Sequence, residues 1–151
     1  MSSDKESRQP IDILLVEDNP GDVRLMEESL KECAVRNTMH IVSDGQEAMA
    51  FLHQEGRYAQ AACPDLILLD LNLPKKDGRQ VLAEIKQDPD LRRIPVIILT
   101  TSTAEEDILK VYDLYANCYI TKPAGIEQYF HVVKTIEDFW LTIVKLPPRA
   151  A

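Results

Sequence analysis

Asp65-Leu66-Ile67-Leu68-Leu69-Asp70 sets four consecutive apolar residues between two acids. Such a run reads as a strand buried on both faces, delivering Asp70 to its C-terminal edge. A second run, residues 11–16, ends in the adjacent acids Glu17 and Asp18. Three carboxylates at the ends of two buried strands repel one another. At about 4 Å and an effective dielectric of about 20, each pair costs on the order of 4 kcal/mol. A cluster of this kind implies a bound cation, a shifted pKa, or both.

Working outward, strand-like runs alternate with segments of helical period. After residues 11–16, Asn19 can cap a helix with Pro20 in its first turn, and Val23, Met26 and Leu30 then recur at helical spacing. A second strand is expected over residues 38–43. Asp44 and Glu47 have capping-box spacing for a helix over residues 44–55. Lys75-Lys76-Asp77-Gly78 is a turn into a helix through Val81, Leu82 and Ile85 that Pro89 stops. Residues 95–100 form a fourth strand. Ser102 or Thr103 can cap the following helix, whose first turn holds Glu105, Glu106 and Asp107. A fifth strand over residues 118–121 ends at Lys122-Pro123, and a last helix is expected over residues 125–144 before Pro147-Pro148.

This alternation predicts an α/β domain with a doubly wound parallel sheet covered on both faces. In such sheets the site lies at the carboxyl ends of the strands, where Glu17, Asp18, Asp70, Thr100 and Lys122 all fall. The chain has 151 residues, which fits one domain spanning residues 1–151 with a core over about 11–144. The N-terminal ten residues are polar, with no signal-peptide core, and no apolar run is long enough to span a membrane. The net charge of −8 argues against a nucleic-acid face. Cys33, Cys63 and Cys118 form no metal or redox spacing and read as reduced thiols of a cytoplasmic protein. His40, His53 and His131 show no ligand spacing.

The residue types suggest phosphoryl transfer to a carboxylate. An aspartate nucleophile can form an acyl phosphate. Mg²⁺, a hard cation suited to oxygen ligands, would bridge Glu17, Asp18 and Asp70, with a backbone carbonyl from Asn72. Lys122 would neutralise a phosphoryl oxygen, and Thr100 would donate a hydrogen bond to the same group. Thr101 and Ser102 compete with Thr100, which directly follows the apolar run. Taken singly, each residue has an ordinary reading: Asp70 as a cap, Lys122 as a solvated lysine, Glu17 and Asp18 as helix-start acids.

The set Glu17-Asp18, Asp70, Thr100 and Lys122-Pro123 resembles the response-regulator receiver domains, the family of the chemotaxis protein CheY. The resemblance covers nearly the whole chain. It implies a flavodoxin-like strand order 2-1-3-4-5 and phosphorylation of Asp70 by the phosphohistidine of a sensor histidine kinase. It also implies that Thr100 and Tyr119 act as switch residues, although Tyr119 alone would read as sheet packing. Glu17 stands where the family more often has Asp, which alters reach rather than charge. Residues 69–79, with the ending Phe139-Trp140-Leu141 and Leu146-Pro147-Pro148, are similar to small response regulators partnered with cyanobacterial phytochromes. That likeness implies a light-regulated kinase as donor.

The last helix carries an apolar arc of roughly 200°, against roughly 100° for a surface helix. Either the helix packs under its own tail, or the chain forms a homodimer through the fourth helix, fifth strand and last helix, with Val132, Ile136, Phe139 and Ile143 central to its interface. After Lys122-Pro123 there is room for a helix and a short tail, so the expected output is protein contact. Two other readings stand beside the switch. One is an aspartyl-phosphate phosphatase, disfavoured because Asn72 stands where such enzymes carry a second Asp. The other is a scaffold that keeps the fold without phosphorylation.

Overall fold

The computed structural model describes residues 10–148. The polar stretch before Pro10 and residues 149–151 lie outside the described residues. Five strands, β1 (Ile11–Val16), β2 (Asn37–Val42), β3 (Leu66–Leu69), β4 (Val96–Thr100) and β5 (Cys118–Thr121), pair in parallel in the order β2-β1-β3-β4-β5. Between and after them run α1 (Pro20–Lys31), α2 (Gly45–Leu52), α3 (Gly78–Gln87), α4 (Glu105–Asp113) and α5 (Ile126–Ile136), the last continuing as a π-helical segment, Glu137–Ile143.

Alternate strand residues feed two cores. Leu14, Val16, Ile67, Leu69, Val96 and Ile98 pack with α2, α3 and α4 through Met49, Phe51, Val81, Leu82, Ile85 and Val111. Ile13, Leu15, Leu66, Leu68, Ile97 and Leu99 pack with α1 and α5 through Met26, Leu30, Tyr129, Val133 and Ile136. All four β3 side chains are buried, each contributing on the order of 2 kcal/mol. This explains why β3 reads as a continuous apolar run rather than an alternating one.

Register aligns the strand ends. Val16 pairs with Leu69, so Glu17 and Asp70 leave the sheet side by side. Thr100 pairs with Thr121, so Lys122 follows directly beside it. Gly78 packs its backbone against the end of β3. A Cβ there would collide with the Asp70 carbonyl oxygen and the Leu71 Cα, so the first residue of α3 is locked to the Asp70 backbone.

Four local expectations change. The Asp44 side chain accepts from the Glu47 N–H, but the Glu47 carboxylate turns to Arg57 and Tyr58, so only half a capping box forms and α2 ends at Leu52. The complete box belongs to Asp77 and Gln80 at α3. Neither Ser102 nor Thr103 is the N-cap of α4; Ala104 is, without a side-chain cap, while the Ser102 hydroxyl donates to Asp107 and accepts from the Ala104 N–H at 3.3 Å ahead of the helix. The last helix rewinds at Glu137, whose buried carboxylate accepts from the Ser29 hydroxyl at 2.8 Å. The wider turn, seen in the bond from Val144 N–H to the Phe139 carbonyl, brings Leu141 back to the core five residues after Ile136.

Burial of the last helix corrects the interface expectation at Ile136. Ile136 is 5 % exposed and belongs to the chain's own core, and Val132 is half-buried against it. Phe139 and Ile143, at 48 % and 69 %, remain on the surface. Among the described residues no helix is long and apolar enough to cross a membrane, and Cys33, Cys63 and Cys118 are free thiols.

Candidate phosphoacceptor site

The chain leaves β1 at buried Glu17. The Asn19 N–H donates to Glu17 Oε1 at 3.1 Å, while the Asn19 side chain caps α1 by accepting from the Asp22 N–H. One residue thus directs the Glu17 carboxylate and starts the helix. Asp18 beside it is exposed. Asp70 is buried at the end of β3, and its Oδ1 accepts from the Asn72 N–H at 3.4 Å. The Asn72 residue itself is exposed.

Lys122 joins these strand ends. Its N–H donates to the Thr100 carbonyl at 2.7 Å, fixing the backbone. Its Nζ reaches Glu17 Oε2 at 2.6 Å, Asp22 Oδ2 at 3.0 Å and Asp70 Oδ2 at 3.2 Å. Burial alone would lower the Lys122 pKa, but the Glu17 hydrogen bond and charge, with Asp22 and Asp70, outweigh it and hold the ammonium above its usual range. Glu17 moves the other way: burial pushes it up to about 7, with the Asp70 charge adding to the rise and the Lys122 hydrogen bond opposing it. Among the described residues one lysine therefore faces three carboxylates, an imbalance met in part by the raised Glu17 pKa.

Glu17, Asp18 and Asp70 each offer an oxygen within 4.8 Å of the others, a donor set of hard oxygens that fits a divalent cation. Thr100 is fully buried, and its Oγ1 has no hydrogen-bond partner among the described residues. A buried hydroxyl without a partner is costly unless a ligand completes it. Tyr119, half-buried on β5, donates its hydroxyl to the Ser102 carbonyl at 2.8 Å. The five residues singled out at strand ends thus meet at one edge. Val132, Ile136, Phe139 and Ile143 are not part of it.

Asp22 was not singled out from the sequence. An acid in the first turn of a helix is the ordinary complement of the helix dipole, so nothing in its spacing marks it. Tyr129, on the buried face of α5, lies close enough for the acids to matter. Burial chiefly, with the Asp22 charge next, raises its pKa.

The family model of the response regulator receiver domain matches residues 13–134. Response regulator Rcp1 of Synechocystis sp. is 55% identical over 142 residues, covering 94% of this chain and 97% of that protein. The Mn²⁺-bound structure of Rcp1 aligns with a TM-score of 0.90, covering 92% of this chain and 100% of the other at 55% identity. The phosphorylated cyanobacterial phytochrome response regulator RcpA also aligns with a TM-score of 0.90, at 58% identity, covering 93% of this chain and all of its own. Sheet order, strand-end chemistry and these likenesses agree, and the chain belongs to the response regulator receiver domain family.

Proposed function

We propose that Asp70 accepts a phosphoryl group from the phosphohistidine of a sensor histidine kinase, and that the protein signals through changed protein contacts. An Asp70 carboxylate oxygen attacks phosphorus, the P–N bond breaks, and the imidazole keeps the electron pair. The contact of Lys122 with Asp70 and Glu17 at the ends of three strands carries this reading. It places a fixed cation beside the carboxylate that would become the acyl phosphate.

Mg²⁺ is the ion we assign to Glu17, Asp18, Asp70 and the Asn72 backbone carbonyl. When bound it supplies charge neutralisation for the incoming phosphoryl oxygens. Lys122 then holds one of those oxygens, and Thr100 donates its unpartnered hydroxyl to another. Thr100 and Tyr119 act as the switch pair. Likeness to Rcp1 and RcpA supports a phytochrome-type light sensor as the kinase. We place the protein in the cytoplasm, and its net charge of −8 supports a protein target rather than nucleic acid.

Intact mass after incubation with Mg²⁺ and acetyl phosphate tests the reading. One phosphoryl adduct is expected on the native protein, and none with Asp70→Asn or with chelator. An equal adduct on the Asn variant would refute Asp70 as acceptor.

We also propose a homodimer, its surface now resting on exposed Phe139 and Ile143 rather than on Ile136. Analytical ultracentrifugation at micromolar concentration should give a dimer that Phe139→Glu with Ile143→Glu converts to monomer. A native protein that is monomeric with and without phosphorylation excludes it.

A further inference from the structure

Beyond the shared core, one side chain ties the start of α3 to the start of α4. Arg79, the second residue of α3, donates Nε and Nη2 to Asp107 Oδ1 at 3.1 and 2.7 Å. Its Nη1 also reaches both oxygens of Asp77, the α3 N-cap, at 3.0 and 3.2 Å. Asp107 lies in the first turn of α4, and its other oxygen accepts from the Ser102 hydroxyl at 2.7 Å. The Ser102 carbonyl in turn accepts the Tyr119 hydroxyl at 2.8 Å.

Both ends of this chain of contacts lie next to the phosphoacceptor site along the backbone. At one end Arg79 grows from Gly78, whose backbone is pressed against the Asp70 carbonyl. At the other, Ser102 lies two residues past Thr100 and seats Tyr119. α4 has little else to fix it: Val111 is its one fully buried residue, and its N-cap Ala104 offers no side-chain acceptor. An element with few buried apolar contacts has low local stability, so side-chain bonds at its start weigh more in holding it. A forked arginine shared by two carboxylates holds direction as well as distance, which a lysine cannot.

We propose that Arg79 is a positioning residue for phosphorylation at Asp70: through Asp107 it holds residues 101–104 so that Tyr119 stays seated on Ser102 and the Thr100 hydroxyl is kept for the phosphoryl group. This rests on the reading of Asp70 as phosphoacceptor. The arginine touches no reacting atom and acts through the loop it holds.

The test uses full-length protein carrying 3-fluorotyrosine, with the Tyr119 fluorine resonance assigned by Tyr119→Phe. Arg79→Gln is expected to shift or broaden that resonance before any phosphorylation, and to slow adduct formation from acetyl phosphate roughly tenfold. Asp107→Asn should do the same, and the double variant should lose no more than either single, because the two act as a unit. Lys76→Gln, which breaks the exposed Lys76–Glu84 pair near the same helix, should change neither readout. Arg79→Lys keeps the charge without the fork and should restore part of the rate. A Tyr119 resonance and rate unchanged in both Arg79→Gln and Asp107→Asn would overturn the assignment, as would effects that multiply in the double variant. If the native protein forms no adduct, the phosphoacceptor reading fails while the fluorine spectra still decide whether Arg79 seats Tyr119. If Arg79→Gln does not fold, Asp107→Asn and Arg79→Lys carry the same comparison.

Discussion

Lys122→Met is expected to cost the metal-free protein about 3–5 kcal/mol near neutral pH, as when one partner of a buried ion pair is removed. Methionine nearly fills the lysine's volume, so little of that loss is a cavity. It is charge: Glu17, Asp22 and Asp70 lie 2.6, 3.0 and 3.2 Å from the Lys122 ammonium. With it gone, Glu17 and Asp70 stay buried without the Lys122 counter-charge, and near neutral pH Glu17 must either keep its proton or face Asp70 as a like charge. A divalent cation supplies the missing charge, so most of the loss should return in saturating Mg²⁺. The variant should also bind the cation more tightly, because Lys122 no longer competes for Glu17 Oε2. Adduct formation at Asp70 should nevertheless fall by about 10²–10³, the scale of losing one preorganised charge contact in the transition state. Urea unfolding in chelator and in Mg²⁺, followed by timed acetyl phosphate reactions, separates the two effects. Equal stability loss in both buffers would mean that the lysine's packing matters and its charge does not.

What could be read from the chain follows from how strongly each feature is determined locally. A run such as Leu66 to Leu69 must be buried, and its polar end must emerge at a sheet edge, so Asp70 announces itself. Glu17 and Thr100 do so for the same reason, whereas Lys122 follows the half-buried β5 and was legible only with Pro123 and the other strand-end residues beside it. The strand order did not come from periodicity; it came from resemblance, because which strands neighbour each other is a property of the whole sheet. The β1–β3 and β4–β5 registers then bring the strand ends into contact. Asp22 escaped because its job is done across the chain, 100 residues from Lys122, while its local setting is that of any helix-start acid. The rewinding at Glu137 escaped because counting 100° per residue assumes an unbroken α-helix. Once Glu137 turns inward to Ser29, every later residue changes angle, and Phe139 and Ile143 part company with Ile136. Ser102 misled for a related reason: a hydroxyl before a helix has several possible partners, and here it bonds Asp107 and the Ala104 N–H, one step ahead of the cap position.

In chelator, Glu17 should make the native protein less stable as pH rises from 4.5 to about 7. Its carboxyl is pushed up to about 7 from 4.5, by burial first and by Asp70 after it, against the Lys122 hydrogen bond. Across that window the folded protein still holds a proton that the unfolded chain has released. The state binding more protons is favoured by acid, so this contribution is full below pH 4.5 and gone once the pH passes 7. A rise of about 2.5 pKa units corresponds to about 3 kcal/mol at 1.36 kcal/mol per unit. Other acids titrate in the same range, so the quantity to measure is a difference. Glu17→Gln cannot ionise, and the stability of the native protein minus that of the variant should fall by about 3 kcal/mol between pH 4.5 and 7.5. Saturating Mg²⁺ should remove the fall, because ligation requires the ionised carboxylate and so draws the group's pKa back down. Cation affinity should correspondingly climb with pH to about 7 and then level off. A difference curve that stays flat in chelator would show that Lys122 keeps Glu17 ionised throughout, and that the cation meets a site already deprotonated.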